Sequence, residues 1–173
     1  MAAHSDTFVD SHVLFDFGRS SRIGLPEAVF CEGKPFSSLK SLLSRFGRGS
    51  GHPILFTRLS PDVFGSMPGE IKEAYDYDPL SRTAFGDTMP ERKRGSVAIV
   101  SAGTADGFVT FEAARTLTYL GVHNEVFEDC GVAGLWRLTE KLPAINACDC
   151  VIVVAGLDAA LLSVVGGLIS KPL

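Results

Sequence analysis

The stretch Ser96–Arg115, SVAIVSAGTADGFVTFEAAR, decides how this chain folds. An apolar run from Val97 to Val100 meets a loop of small residues, Ser101-Ala102-Gly103-Thr104-Ala105-Asp106-Gly107. Helical spacing follows at once. Val109, Ala113, Leu117 and Leu120 fall on one face of a helix, and Gly121 stands where a C-terminal stop belongs. Strand, tight loop and helix form the opening unit of an open α/β sheet, in which ligands bind past the carboxyl ends of the strands. A loop of Gly, Thr, Ala and Asp lets backbone N–H groups approach an anion at the helix N-terminus.

Downstream, the same unit repeats. Val122 to Phe127 reads as a second strand, ending in the acids Glu128 and Asp129. Gly131-Val132-Ala133-Gly134 makes a second small-residue loop, and Leu135, Leu138 and Leu142 suit a short helix stopped by Pro143. Cys150 to Ala155 is a continuous apolar run, as in a strand buried on both faces. Gly156-Leu157-Asp158 forms the third loop and Ala159 to Ile169 the third helix. Lys171-Pro172-Leu173 reads as the start of a fourth strand. Three β–loop–α units imply a parallel sheet with right-handed crossovers, which puts all three loops at one sheet edge.

Upstream, residues 1–90 read as a small α+β module and residues 86–95, GDTMPERKRG, as a polar linker to an α/β domain over 96–173. Within the module, Asp10 to Phe17 is expected as a short helix with Val13, Leu14 and Phe17 on one side. Ser37 is a plausible N-cap for a helix through Phe46, with Leu39, Leu42, Leu43 and Phe46 inward. Pro53 to Thr57 suits a strand, and Ser60-Pro61-Asp62 the start of a helical turn. Arg19, Arg22, Lys34 and Arg58 either meet a phosphate or form a solvated surface with local ion pairs.

Composition narrows the class. At 46% hydrophobic and 21% charged residues the chain is globular, and a net charge of −4 gives no nucleic-acid surface. The N-terminal MAAHSDTFVD has neither a secretory nor an Arg-rich transit pattern, so the cytoplasm is the default compartment. From Val151 to Ile169 the single charge is Asp158. An Asp at the centre of a spanning helix costs about 2.5–3.5 kcal/mol to insert, and the segment also divides into strand, loop and helix, so no membrane span is expected. Cys31, Cys130, Cys148 and Cys150 show no disulfide framework and read as buried free thiols. His4, His12, His52 and His123 lack ligand spacing, and no P-loop, G-x-S-x-G or H-E-x-x-H is present.

Asp106, Asp129 and Asp158 each sit in or beside one loop. Singly, such an acid caps the local backbone; converging, three of them can hold ribose hydroxyls, bind Mg²⁺ or move protons. Glu128 or Asp129 stands where a dinucleotide fold grips ribose, but the first loop lacks G-x-G-x-x-G. Trp136 reads as core packing.

The stretches AGTADGFVTFEAA, EDCGVAGLWRL and VIVVAGLDAALLSVVGGLISKP, with RSSRIGLPEAVFCEGK near the N-terminus, resemble the PurE-related carboxylases of the LarB type. That resemblance implies a flavodoxin-like, three-layer parallel α/β fold in a homo-oligomer. It implies carboxylation of the pyridinium ring of nicotinic acid adenine dinucleotide with CO₂ or bicarbonate as co-substrate. The phosphoanhydride is hydrolysed, Mg²⁺ assists, and the product serves a nickel-pincer cofactor. The PurE relatives instead carboxylate aminoimidazole ribonucleotide in purine synthesis, and a non-catalytic nucleotide-binding remnant is the third reading. Matched by position, Gly103, Thr104 and Asp106 fall in the first substrate loop, and Asp129, Gly131 and Gly134 in the second. Gly156 and Asp158 fall in the third, where Asp158 replaces a Glu that serves as acid–base carboxylate; Asp106 is the other catalytic candidate. Phe108 and Leu162 replace prolines, Phe111 a Glu and Trp136 a His. The family's nucleophilic cysteine would fall beyond Leu173, so the stretch up to Leu173 is not expected to complete the reaction by itself.

Overall fold

A computed structural model describes residues 9–10, 13–89 and 95–173, which fall into two units divided between Thr88 and Met89. His4, His12 and residues 90–94 of the polar stretch lie outside the described residues.

The first unit opens with β1 (Val9–Asp10) and β2 (Val13–Leu14), an antiparallel pair where a helix over Asp10–Phe17 was expected. Period two explains the difference. Phe15 is buried, Leu14 is exposed and Phe17 is half-buried, an alternation that a helix would break. Helix α1 (Arg19–Ile23) follows and ends at Gly24, whose φ of 77° is the left-handed C-terminal turn. Arg22 pairs with Asp16, the local ion-pair alternative for that arginine.

β3 (Val29–Phe30), α2 (Phe36–Arg45) and β4 (Leu55–Thr57) form a parallel β–α–β unit. Pro35, not Ser37, stands at the N-cap of α2, because its ring fixes φ near −57° just where the chain enters the helix. The inward face is as the spacing predicts: Leu39, Leu42, Leu43 and Phe46 are buried. α3 (Pro61–Gly65) starts as expected at Ser60, whose Oγ accepts from Val63 N at 3.3 Å. After α4 (Gly69–Glu73), the hairpin of β5 (Asp76–Asp78) and β6 (Thr83–Phe85) completes a sheet of order β3-β4-β6-β5. Phe56, Leu59, Met67, Ile71 and Tyr75 close the core against α2, and Tyr75 Oη donates to Leu43 O at 2.8 Å.

The second unit is the repeating one. β7 (Ser96–Ser101) leads through a 3₁₀ turn (Thr104–Asp106) into α5 (Gly107–Tyr119). β8 (His123–Phe127) leads through a second 3₁₀ turn (Val132–Gly134) into α6 (Leu135–Ala147). β9 (Cys150–Val154) and α7 (Ala160–Leu168) follow. All pairings are parallel and the order is β8-β7-β9, the 2-1-3 arrangement of a flavodoxin-like sheet. Ala98 and Val100 of β7 pack with Leu138 and Ile145 of α6 and Leu161 and Val165 of α7. The alternation of a strand turns Ile99 to the opposite face, where α5 lies against β7 and β8. Helices on both faces of the parallel sheet make three layers. Val151 N donates to Pro172 O at 2.9 Å, so the last residues run beside β9 where a fourth strand was expected to start.

Four expectations for this unit need correction. The buried side of α5 is Gly107, Thr110, Ala114 and Tyr119, while Val109 is exposed. Small side chains let the helix approach the sheet closely, and that geometry outweighs the apolar stripe. Helix α6 runs through Pro143 to Ala147, because Ile145 and Cys148 on the far side of the proline are buried in the core. β9 is the sheet's outer strand with Val151 alone buried, and it is β7 that is sealed on both faces. Trp136 is 63% exposed, since Leu138 and Ile145 take the inward side of α6. Gly121 does stop α5: its N–H donates to Thr118 O and Val122 N to Leu117 O, a Schellman pair with Gly121 at φ 73°. No helix among the described residues is long and apolar enough to cross a membrane. Cys31, Cys130 and Cys148 are buried free thiols, and Cys150 is half-buried.

Candidate functional site

Parallel strands bring the turns after β7, β8 and β9 to one edge. In the first turn, Asp106 bends back on its own loop: its carboxylate accepts from Gly103 N at 2.9 Å and its N–H donates to Gly103 O at 3.0 Å. Thr110 Oγ1 adds a bond to Asp106 O at 2.9 Å. Asp106 therefore caps the loop that carries it, and Thr104 is left exposed at the tip. Beneath them, Ser101 Oγ is buried without a hydrogen-bond partner.

The second turn is fastened to the first. Cys130 N donates to Ser101 O at 2.9 Å, and a Cβ on Gly131 would stand 2.8 Å from Ala102 O. No side chain fits there. Asp129 takes a left-handed φ of 56° and pairs with Arg137 Nη1 at 2.6 Å. Gly134 makes room for the same arginine, since a Cβ on it would meet Arg137 Nε at 2.8 Å. The guanidinium thus sits between two glycines and a carboxylate, with its Nε buried and lacking an acceptor. A partly buried guanidinium held at the sheet edge can take an oxyanion through its accessible atoms. Lys141 closes the back of the turn, donating to Glu128 O at 2.6 Å and lying 3.6 Å from Cys130 Sγ. Burial raises the pKa of that thiol, and the Lys141 charge works against the rise.

The third turn is open. A methyl group on Gly156 would find no atom within 4 Å, and Gly156, Leu157 and Asp158 are exposed. Ala159 N donates to Gly156 O at 2.6 Å, and α7 packs against the Val132–Gly134 turn. The fold therefore joins the first two turns directly and the third through α7. It does not merge the carboxylates: Asp106 faces Gly103, Asp129 faces Arg137, and Asp158 is exposed. Among the described residues no three His, Cys, Asp or Glu side chains gather to hold a metal ion.

Sequence reasoning missed Arg137. The signal was available: Gly131, Gly134 and Arg137 are spaced by three, which places two side-chain-free positions beside one long cation on the opening turn of a helix.

Comparison with known proteins adds two findings. Residues 9–87 match the family model of the LarB/PurE-like N-terminal domain. Over 174 aligned positions the chain is 29% identical to the uncharacterized protein MJ0165 of Methanocaldococcus jannaschii, covering 95% of this chain and 67% of that protein. The first match lies within the first unit, and the second spans both.

Proposed function

From the premise that this chain is LarB/PurE-related through residues 9–87, we propose that its second unit binds a nucleotide and serves ring carboxylation of the LarB type. The substrate in this reading is nicotinic acid adenine dinucleotide, with CO₂ or bicarbonate as co-substrate. The observation that carries it is Arg137, held between Gly131 and Gly134 with a buried, unsatisfied Nε at the carboxyl edge of the sheet. Arg137 takes a phosphate oxygen, Asp129 fixes its plane, and the Asp106-capped loop forms the opposite wall. The ring carbon becomes nucleophilic only while a thiolate of the kind the resembled family uses is added to the pyridinium. That carbon then bonds CO₂, Asp158, exposed at the third turn, takes its proton, and the thiolate leaves as the ring regains its aromaticity. Water opens the phosphoanhydride and releases AMP. Any Mg²⁺ arrives on the substrate's phosphates, and no step is routed through it.

Two other readings use the same loop edge. Aminoimidazole ribonucleotide in place of the dinucleotide makes it a PurE-type carboxylase. A nucleotide-binding protein without turnover is favoured by the exposed Trp136, standing where the resembled family has a His. Calorimetric titration with each nucleotide, paired with chromatography for AMP in the presence of bicarbonate, separates them. Binding of the dinucleotide with AMP release supports the proposal. Binding without turnover leaves the non-catalytic reading. No heat with either nucleotide at millimolar concentration refutes all three.

A further inference from the structure

The first unit carries a cleft that the proposed carboxylation does not use. It measures about 390 Å³ and is walled by the last turn of α2, the loop from Gly47 to Ser50, and α4. Its floor is apolar, from Leu43, Ile71 and Ala74, and its rim carries Arg45, Arg48 and Glu70. That volume is at the small end for ligand pockets, which suits one sugar and one ring rather than a dinucleotide.

The loop that presents Arg48 is held in place although it lies at the surface. Arg48 N donates to Ala74 O at 3.0 Å, and Gly49 N donates to Asp87 Oδ2 at 2.7 Å. Gly47 and Gly86 leave no space behind it: a Cβ on Gly86 would stand 2.5 Å from Arg48 N, and one on Gly47 2.8 Å from Ala74 Cβ. Gly49 and Gly51 both turn at φ 77°, a conformation costly for other residues. From α2, the opposite wall is steadied by Tyr75 Oη on Leu43 O. The Arg48 and Gly49 amides are thus used in fixing the loop, and a ligand would meet the lining side chains, among them Arg45, which also lies over the Phe46 ring. Two guanidiniums match the oxygens of a phosphate monoester, and a carboxylate matches vicinal hydroxyls.

We propose that this cleft binds the sugar phosphate of a nucleoside monophosphate, with Arg45 and Arg48 on the phosphate and Glu70 on the ribose hydroxyls. The proposal is independent of the reading given for the second unit. It is tested on the ¹⁵N-labelled full chain titrated with AMP, ribose 5-phosphate, adenosine and inorganic phosphate, following the glycine amide resonances. AMP and ribose 5-phosphate shift Gly47 and Gly49, and adenosine at equal concentration does not. R45A/R48A weakens AMP at these resonances at least tenfold, and R45K/R48K weakens it less. E70Q weakens ribose 5-phosphate several-fold and leaves inorganic phosphate unchanged. An AMP dissociation constant within twofold of the parent in R45A/R48A overturns the proposal, as does the absence of any shift at Gly47 and Gly49. Equal binding of inorganic phosphate and ribose 5-phosphate overturns the role of Glu70. Shifts at Gly103, Gly131 and Gly134 report the second unit separately, so the two sites fail or stand apart.

Discussion

Gly131→Ala puts a methyl group 2.8 Å from Ala102 O, about 0.6 Å inside ordinary contact distance, against the Ala102 main chain. The Ala102 main chain cannot swing away as the Arg137 side chain on the other side would, so the second turn must lift off the first. Overpacking of this kind costs about 1–3 kcal/mol. Lifting also strains the Cys130 N to Ser101 O bond of 2.9 Å, worth about 1 kcal/mol. A loss of about 2–4 kcal/mol in the second unit is expected, large against the few kcal/mol that hold a small domain together. Two other glycines provide the controls. At Gly156 a methyl meets nothing, so Gly156→Ala should leave stability unchanged or raise it by about 0.4–1 kcal/mol through the unfolded state. At Gly134 the methyl meets the Arg137 guanidinium, a side chain that can move, so Gly134→Ala should spare stability and impair nucleotide binding. Urea titration followed by circular dichroism gives the stabilities, and amide hydrogen exchange at Cys130 isolates the second unit. Equal stability of G131A and G156A would refute the reasoning, because the two differ only in what the added methyl touches.

Four further outcomes follow from named contacts. Arg137→Ala should weaken dinucleotide binding at least tenfold in calorimetry while changing stability by less than about 1 kcal/mol, since the Asp129 pair is half-exposed. Asp149 accepts from Ser96 N at 2.8 Å and from Ser96 Oγ at 3.1 Å, which holds its carboxyl below the usual 3.8. Its folded-state pKa being lowered, its contribution is present above pH 3.8 and fades as pH falls through the folded value, and acid titration of Asp149→Asn should lack that loss. Thiol labelling of the folded chain at pH 8 should modify Cys150 first, with Cys31, pushed up to about 12 by burial, reacting only on unfolding; prompt labelling of Cys31 would contradict its burial. Leu135, Trp136, Leu157 and Leu162 are exposed apolar residues around the second unit's loop edge, and in the homo-oligomer expected from the family resemblance they should be covered. Trp136→Glu should then shift light-scattering mass toward the monomer, and an unchanged mass would place the interface elsewhere.

The elements that could be read from the sequence are those whose pattern and environment agree. Val97 to Val100 reads as a strand and is one, with Ala98, Ile99 and Val100 buried because β7 has a neighbour on each side and helices on both faces. Leu39, Leu42, Leu43 and Phe46 read as an inward face because α2 offers no competing apolar stripe. Where two signals compete, local pattern loses. In helix α5 periodicity points to the side of Val109, Ala113, Leu117 and Leu120, whereas Gly107, Thr110, Ala114 and Tyr119 are the buried residues. Pro143 carries a strong stop signal, but burial of Ile145 and Cys148 outweighs the helix hydrogen bond that the proline forfeits. The outer position of β9 is a fact of strand order, which no window of its own five residues contains.

The site shows the same division between what a residue is and what surrounds it. Three acids at three loop tips are visible in the sequence, and their convergence on one edge follows from parallel strands alone. Their partners do not. Asp106 is consumed by Gly103, and Asp129 by Arg137, so neither is a free carboxylate waiting for a ligand. Two buried groups of the described residues lack a partner, Ser101 Oγ and Arg137 Nε, and the charged one is a donor rather than an acceptor. This reverses the charge of the ligand that the acids alone suggest: three carboxylates ask for a cation or hydroxyls, whereas a caged guanidinium asks for an oxyanion. The glycines at 131 and 134 support the second demand. Each is placed where a side chain would collide, one with the neighbouring turn and one with the arginine, and together they hold the cation at the sheet edge. A phosphate bound at the accessible part of this guanidinium would leave Asp129 in place, so Asp129→Asn should cost affinity through the loosened Arg137 plane and much less than Arg137→Ala does. If the two substitutions weaken dinucleotide binding equally, Asp129 touches the ligand itself and the arginine is its support.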